Sequence, residues 1–207
     1  MSEKTITTIR SDVRSQHTNN QEGIMTKGLI IVDVQNDYFK GGSMELVNMD
    51  AAADNCRQLL DEFRNSSAPI FHIQHLATRE GATFFVPDTS GCEIHHSVKP
   101  LESEVVLTKN YPNSFRDTGL DQKLRESSIS NIVVCGAMSH MCIDTTVRAA
   151  FDLGYSCEVI SDACATRDLE FEGKTIDSSD VHASFMAALM APFASVTTTR
   201  AFLESRG

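Results

Sequence analysis

Cys142 has the sequence surroundings of a catalytic nucleophile. In the stretch VVCGAMSHMCIDTT an apolar, strand-like run reaches Gly136, and Cys142 follows six residues later at the start of a helical pattern. Backbone amides at a helix start lack partners and the helix dipole adds positive charge, so both favour a thiolate and can hold an oxyanion. This pattern favours covalent acyl-transfer chemistry. The alternative is a small buried apolar residue, which is the usual role of a free cysteine, and the chain has six of them.

Two charged residues end two other apolar runs of the chain. In KGLIIVDVQNDY the run of residues 29–32 stops at Asp33. In SEVVLTKNY the run of residues 105–107 is followed closely by Lys109. Ligands of open parallel sheets bind in the crevice beyond the carboxyl ends of the strands. We therefore expect Asp33, Lys109 and Cys142 to meet in one pocket, where a carboxylate, an ammonium and a thiol would act together.

The elements that would position these residues alternate between strand and helix patterns, as in a layered α/β domain. The strands are continuous apolar runs, which is typical of a sheet with helices on both faces. We predict a three-layer α/β/α fold, Rossmann-like and doubly wound, with a mostly parallel sheet of six strands. The predicted strands are residues 29–34, 70–74, 105–108, 132–135, 157–161 and 196–199. The predicted helices are residues 51–63, 142–153 and 180–190.

Size and charge indicate one globular domain without membrane or nucleic-acid partners. The 207 residues can bury a single core, and no segment has the composition of a linker between two domains. We assign residues 27–207 to the domain and residues 1–26 to a polar N-terminal arm, mobile or in contact with a partner. No apolar run approaches the roughly 20 residues that cross a bilayer. The net charge of −10, without a Lys/Arg cluster, disfavours phosphate backbones.

The cysteines favour a reducing compartment. They show no paired metal-binding spacing and follow no secretion signal, so we expect a cytoplasmic protein. They are Cys56, Cys92, Cys135, Cys142, Cys157 and Cys164. Residues 78–100 form a long segment that Gly81, Pro87 and Gly91 interrupt. We expect this segment to cover the pocket mouth as a lid.

The order Asp33, Lys109, Cys142, with DVQNDY after the first strand and VCGAMSHMC before the nucleophile, resembles the isochorismatase-like cysteine hydrolases. This superfamily includes nicotinamidases and N-carbamoylsarcosine amidases. The resemblance extends from Lys27 to the C-terminus in element order. It implies an isochorismatase-like hydrolase domain that acts on non-peptide C–N bonds, in an amide or ureide of a small molecule, without a cofactor. Family members are usually oligomers, so we expect a homo-oligomer.

Amide hydrolysis needs a nucleophile, a proton donor for the leaving nitrogen, an oxyanion hole and an activated water. Cys142 would form a thioester acyl-enzyme. Asp33 would accept the Cys142 proton, pass it to the departing nitrogen and later deprotonate the water. Lys109 would stabilise both groups by its charge, although a lysine at a strand end is otherwise often a surface ion-pair partner.

The resemblance also implies that the peptide bond joining Ala137 to Met138 is cis, a costly non-proline conformation that the fold must enforce. The oxyanion would then be held by the backbone nitrogens of Met138 and Cys142. Gly136 would give the chain room to turn. A plain strand-to-helix turn glycine is the other interpretation of Gly136.

Three further residues are candidates for substrate binding. By their match to the first motif of the family, Gln35 is expected to hydrogen-bond the substrate and Tyr38 to form an aromatic wall. Loop packing is an equal alternative for Tyr38. His75, at the end of the second strand, is a candidate substrate contact or a hydrogen-bonded structural group. Asn36 and Asp37 are interpreted as turn caps and left out of the catalytic set.

The histidines do not form the metal site of the nicotinamidases, which bind a divalent ion through an Asp-x-His pattern. The corresponding positions here are His75, Leu76 and Ala77. His72 and His75 face opposite sides of an extended strand and cannot readily share an ion. We therefore predict no metal, which argues against a nicotinamidase. Enzymes that cleave the vinyl ether of isochorismate commonly lack the nucleophilic cysteine, so Cys142 favours an amidase.

Two other classes of protein lack support in the sequence, and a third is the alternative to an active hydrolase. A receiver domain needs its phosphoacceptor Asp at the end of the third strand, where this chain has Lys109. A dinucleotide-binding domain needs a glycine fingerprint that opens a helix, and Gly41 and Gly42 do not stand in that position. A catalytically inactive isochorismatase-like fold, retained as a binding or oligomeric scaffold, remains the alternative to the hydrolase.

Overall fold

Six parallel strands form the central sheet in the computed structural model, which describes residues 26–206. The eight strands within residues 26–206 are β1 (Thr26–Val32), β2 (Ile70–His75), β3 (Val105–Lys109), β4 (Ile129–Ala137), β5 (Ser156–Ala165), β6 (Leu169–Phe171), β7 (Lys174–Ile176) and β8 (Ser195–Thr197). The sheet has the order β3-β2-β1-β4-β5-β8, and every neighbouring pair in it is parallel. β6 and β7 form a separate antiparallel hairpin.

In the described part of the chain, five α-helices accompany the sheet: α1 (Met49–Asn65), α2 (Leu120–Glu126), α3 (Asp144–Asp152), α4 (Ser178–Leu189) and α5 (Thr199–Glu204). Short 3₁₀ turns occupy Asn36–Tyr38, Ser90–Cys92 and His96–Val98, and a single π-helical turn, Ser139–Ile143, precedes α3.

The helices cover both faces of the sheet, because successive residues of a strand point to opposite sides. On β1, Leu29 and Ile31 pack in the cluster that includes α1 and α5. Ile30 and Val32 pack in the cluster that includes α2, α3 and α4. Both faces are therefore dry, which explains the uninterrupted apolar runs of the strands. The predicted three-layer, doubly wound fold is confirmed.

Among the strands and α-helices of residues 26–206, four were not predicted: β6, β7, α2 and α5. The β6–β7 hairpin turns at Glu172 and Gly173, which both have positive φ, and its strands are too short and polar for a strand pattern. Helix α2 has seven residues and α5 has six, which is too short for a helical repeat to be recognised in the sequence. The strand predicted at residues 196–199 ends earlier, at Thr197, because the Thr198 hydroxyl accepts a hydrogen bond from the Ala201 amide and caps α5.

Two further sequence predictions concern membrane-spanning helices and the N-terminal arm. Within residues 26–206, no helix is both long and apolar enough to cross a membrane. The predicted arm, residues 1–26, lies outside the described residues except for Thr26, the first residue of β1.

Candidate active site

The sheet places four side chains at or just beyond the carboxyl ends of its strands. Asp33 directly follows β1 and has a left-handed backbone, φ 51°. Lys109 is the last residue of β3, and His75, the last residue of β2, lies opposite it in the register. Cys142 lies in the π-helical turn that follows β4. All four therefore approach one edge of the sheet, as expected for parallel strands.

Asp33 and Lys109 form a buried ion pair. Lys109 Nζ lies 2.7 Å from Asp33 Oδ2, and both side chains are inaccessible to solvent. Apart from its contacts with Lys109 and His75, Asp33 has no side-chain oxygen that accepts a hydrogen bond from residues 26–206. Lys109 Nζ also donates to the Pro112 carbonyl oxygen at 3.1 Å. The carboxylate thus keeps lone pairs available for a proton or a substrate.

Cys142 lies next to this pair. Its sulfur, a carboxylate oxygen of Asp33 and a ring nitrogen of His75 all lie within 4.8 Å of one another. The Cys142 side chain is buried. His75 Nδ1 is 3.8 Å from Asp33 Oδ2, beyond hydrogen-bond length, and the His75 side chain is 17% exposed. His75 is therefore the part of this cluster that solvent reaches.

The electrostatics of the cluster set its resting protonation. Burial by itself raises the pKa of Asp33, but the charge of Lys109 and the nearby His75 outweigh burial and hold that pKa below its usual value. Burial opposes the charge of Lys109, but Asp33 and Cys142 raise its pKa. Burial and the Asp33 charge raise the pKa of Cys142 to about 12, against the influence of Lys109. The resting site holds a thiol, a carboxylate and an ammonium, so the thiol needs a base.

A cation at this cluster would compete with Lys109. Asp33, His75 and Cys142 offer the oxygen, nitrogen and sulfur ligands that zinc accepts. The Lys109 ammonium, 2.7 Å from the carboxylate, already supplies a positive charge beside the same position. This arrangement disfavours a resident metal, and the absence of a metal cofactor stays a prediction.

The backbone between β4 and Cys142 turns sharply toward the cluster. Gly136 has φ 120°, and a Cβ at this position would collide with the Val32 carbonyl oxygen, so the close approach of β4 to β1 requires glycine. The peptide bond joining Ala137 to Met138 is cis. The Met138 carbonyl oxygen accepts hydrogen bonds from Met141 N at 3.0 Å and Ile143 N at 3.2 Å. Met138 is itself nearly buried.

Gln35 is buried and bonded to backbone on two sides. Its Nε2 donates to the His75 oxygen at 2.9 Å and to the Cys92 oxygen at 2.8 Å. Its Oε1 accepts from His75 N at 2.7 Å. These bonds fix the end of β2 against the segment around Cys92. The expected contact between Gln35 and substrate stays a prediction, and it would have to share or replace one of these bonds.

Tyr38 belongs to a group of rings over the cluster. Its ring centroid lies 4.6 Å from that of Phe85 and 6.3 Å from that of Phe84. The Phe85 ring in turn lies 5.7 Å from His75. Burial is the main cause that raises the pKa of Tyr38 well above its ordinary value, and the neighbouring Cys142 and the Asp33 carboxylate act in the same direction, so the phenol stays protonated. The ring contacts show Tyr38 packed in the loop, and its contact with substrate stays a prediction.

Asp37 has a larger role than the turn cap expected from the sequence. Its Oδ1 accepts from Ser43 N at 3.1 Å, which caps the turn. Its Oδ2 accepts from Phe85 N at 2.6 Å, and Phe85 has φ 55° and is fully buried. Asp37 therefore fastens the segment predicted as a lid to the loop that carries Asp33. The partner of Asp37 is 48 residues away, so no local pattern could have indicated it.

Comparisons with known proteins agree on one family. Residues 27–201 match the family described as "Isochorismatase domain". The chain is 52% identical over 180 residues to the uncharacterized isochorismatase family protein YddQ of Bacillus subtilis (strain 168), covering 87% of this chain and 100% of that protein. The crystal structure of an isochorismatase from Pseudomonas putida KT2440 is 39% identical, with a TM-score of 0.81 over 86% of this chain and 90% of that chain. Streptothricin hydrolase of Streptomyces noursei is 34% identical over 145 residues, 69% of this chain and 51% of that protein.

Proposed function

The chain belongs to the isochorismatase family, and from this premise we propose that it is a cysteine hydrolase that cleaves the C–N bond of a small amide or ureide. The observation that carries the proposal is the meeting of Asp33, Lys109 and Cys142 from three separate segments of the chain in one buried cluster. A relative named as a hydrolase, streptothricin hydrolase, supports hydrolysis as the reaction type. The identity of the substrate is not carried over from that relative.

The first half of the reaction acylates Cys142. Asp33 removes the thiol proton, and the sulfur attacks the carbonyl carbon of the substrate. The oxygen of the tetrahedral intermediate is held by the backbone N–H groups of Met138 and Cys142. When the intermediate collapses, the C–N bond breaks and the Asp33 carboxyl group returns its proton to the leaving nitrogen. Ammonia or an amine departs, and a thioester remains.

The second half releases the acid. Asp33, again a carboxylate, deprotonates a water molecule that attacks the thioester carbonyl carbon. The C–S bond breaks, and the proton held by Asp33 returns to the Cys142 sulfur. The sum of both halves is one amide and one water converted into one carboxylic acid and one amine. A ureide cleaved at its carbamoyl group gives one carbamic acid and one amine or ammonia instead.

Lys109 supports both halves by its charge and does not transfer a proton. Its ammonium favours ionised Asp33 in the resting enzyme and offsets the negative charge that passes to sulfur. Because the pKa of Lys109 is raised, it remains a cation throughout the cycle.

The walls of the site favour a small substrate. Tyr38 and Phe85 lie over the cluster, and His75 is its accessible edge. We propose that the substrate enters beside His75 and stacks a flat face, such as that of an amide or ureide, against these rings. Gln35 would act mainly through the backbone that it holds. A cytoplasmic location and a homo-oligomeric assembly remain predictions.

The experiment is a screen for ammonia or amine release from a panel of small primary amides and ureides. The unsubstituted protein is compared with Cys142→Ala and with Cys157→Ala, which removes another buried thiol, on β5. We expect turnover by the unsubstituted protein and by Cys157→Ala, and none by Cys142→Ala. Equal turnover by Cys142→Ala would refute the nucleophile assignment, and no turnover of any compound would favour the scaffold alternative.

A further inference from the structure

Ser139, the residue that follows Met138, is held by helix α4 through a histidine that comes 43 residues later in the chain. Ser139 is fully buried, and its Oγ lies 2.9 Å from His182 Nδ1 on α4. The same hydroxyl donates to the Ala165 carbonyl oxygen, at the end of β5, over 3.3 Å. The side chain of Ser139 therefore joins α4 to the sheet at the point where the chain leaves Met138.

The next residue repeats this attachment. His140 Nδ1 lies 2.6 Å from Thr166 Oγ1, just beyond β5. The His140 ring meets Phe185 of α4 edge-on, with centroids 6.0 Å apart. Two consecutive residues are thus tied both to the exit of β5 and to α4.

The direction of the hydrogen bonds can be assigned from their chemistry. A carbonyl oxygen only accepts, so the Ser139 hydroxyl proton points to Ala165 when the Nδ1–H of His182 donates to Ser139 Oγ. With the other histidine tautomer, the Ser139 proton points to His182 and the longer contact to Ala165 is given up. In either case His182 makes the shorter of the two contacts of Ser139.

We propose that His182 and Ser139 are positioning residues that hold the Met138 amide at the place where the oxyanion forms. This proposal rests on the proposed function, in which that amide is an oxyanion donor. On one side of Met138 the backbone is fixed because Ala137 ends a buried strand. On the other side the backbone is fixed because His182 holds the side chain of Ser139. Without His182, Ser139 keeps only the 3.3 Å contact, and the amide can rotate away from the developing charge.

His182 is also open to a small added molecule. It lines a cleft of about 520 Å³ between α1, the exit of β5 and the start of α4. Asn48, Asn55, Thr166 and Ser178 are among the other residues of this cleft. A variant that lacks the imidazole therefore leaves a space beside Ser139 that free imidazole can enter from solvent.

The test compares two reagents for Cys142 that differ in one respect. p-Nitrophenyl acetate acylates the sulfur through a tetrahedral oxyanion and releases p-nitrophenolate. Iodoacetamide alkylates the same sulfur by direct displacement of iodide and forms no oxyanion. Both rates depend on the thiolate fraction of Cys142, so their ratio isolates the contribution of the oxyanion donors. Peptide mapping assigns each adduct to Cys142.

We expect His182→Ala to lower the acylation rate on the order of 10- to 100-fold while the alkylation rate is unchanged. Added imidazole should restore acylation in His182→Ala, and it should not accelerate the Cys142 reaction of the Ser184→Ala control on the same helix. Ser139→Ala breaks the same contact from its other end with a smaller change in volume. The double variant should be no slower than the slower single variant, because both remove one contact.

Four results would overturn the proposal: unchanged acylation in both single variants, an equal loss of both rates, no effect of imidazole, or additive losses in the double variant. Failure of the proposed function is a separate result. In that case the unsubstituted protein is not acylated at Cys142 at all. If the unsubstituted protein is acylated and both His182→Ala and Ser139→Ala are acylated at the same rate as it, only the positioning role is refuted.

Discussion

The Lys109 ammonium lies 2.7 Å from Asp33 Oδ2, although Lys109 ends β3 and Asp33 follows β1, and β2 separates these two strands in the sheet. The long side chain of Lys109 reaches across the end of β2 to make this contact. Two charges are tolerated in a dry site because each neutralises the other. The neutral thiol of Cys142 then adds no third charge at rest, and the cluster is ready to accept one when the reaction begins.

Replacement of Asp33 by Asn should speed the alkylation of Cys142 but slow amide hydrolysis. The Asp33 charge helps to raise the pKa of Cys142 to about 12. Asp33→Asn removes that charge, so the thiolate fraction and the iodoacetamide rate should rise several-fold at about pH 8, while amide hydrolysis falls by at least about 100-fold. The rate for the unsubstituted protein should still be rising at about pH 10. The account would be contradicted if the alkylation rate reached a plateau at a pH near the ordinary cysteine pKa. Slower alkylation of Asp33→Asn would also contradict it.

Removal of Lys109 should destabilise the fold as well as the reaction. Lys109→Met leaves the Asp33 carboxylate buried without its counter-ion, at a cost of about 3 to 5 kcal/mol in the free energy of unfolding. Lys109→Met combined with Asp33→Asn should recover part of this loss, because the orphaned charge is gone. Urea unfolding of both variants measures the difference. A double variant less stable than Lys109→Met alone would show that the ion pair is not the source of the effect.

Asp37 should control access to the cluster. In Asp37→Asn an amide group replaces one of the two acceptor oxygens that hold Ser43 N and Phe85 N. We expect a loss of about 1 to 3 kcal/mol in unfolding free energy and faster proteolysis within residues 78–92. The control is Asp88→Asn, an exposed acid in the same segment. If Asp37→Asn and Asp88→Asn are cleaved at the same rate, Asp37 does not hold this segment in place.

Glu104 should make stability depend on pH in the acid range. Burial raises its pKa, but hydrogen bonds from Arg64, the Leu101 backbone and His72 outweigh burial and lower it from 4.5 to about 2. Because the folded-state pKa is the lower one, the unfolded state binds the proton more readily. The stabilisation is therefore present above pH 4.5 and is lost as the pH falls toward 2.

Glu104→Gln removes this titration and serves as its matched control. Unfolding free energies of both proteins across that range should converge as the pH falls, since the carboxyl group then also becomes neutral. A constant difference at all pH values would exclude Glu104 as the cause.

Local patterns predicted the parts of the molecule that depend on local chemistry. Asp33 and Lys109 could be located because a charge after an apolar run marks a strand end, and parallel strands bring such ends together. His182 could not be located in this way. It is a lone histidine on a helix, and its partner Ser139 is 43 residues away. Long-range hydrogen bonds of this kind depend on how the layers pack, which strand and helix periodicity does not encode.

Gly136 also has one structural reason that the sequence shows and one that it does not. Gly136 was interpreted either as room for the oxyanion turn or as a plain turn glycine. Its positive φ agrees with a turn, but the Val32 carbonyl oxygen beside it adds a steric reason that comes from the neighbouring strand. Only the first of these two reasons is visible in the sequence.

Acid-quench mass spectrometry during turnover tests the acyl-enzyme most directly. The protein is mixed with an amide that it hydrolyses, quenched within the first turnovers, digested and searched for the acyl group. The expected result is a thioester on the peptide that carries Cys142, removable by hydroxylamine and absent from Cys142→Ala. Turnover without an adduct on that peptide, while Cys142→Ala hydrolyses the same amide at an equal rate, would contradict covalent catalysis by Cys142.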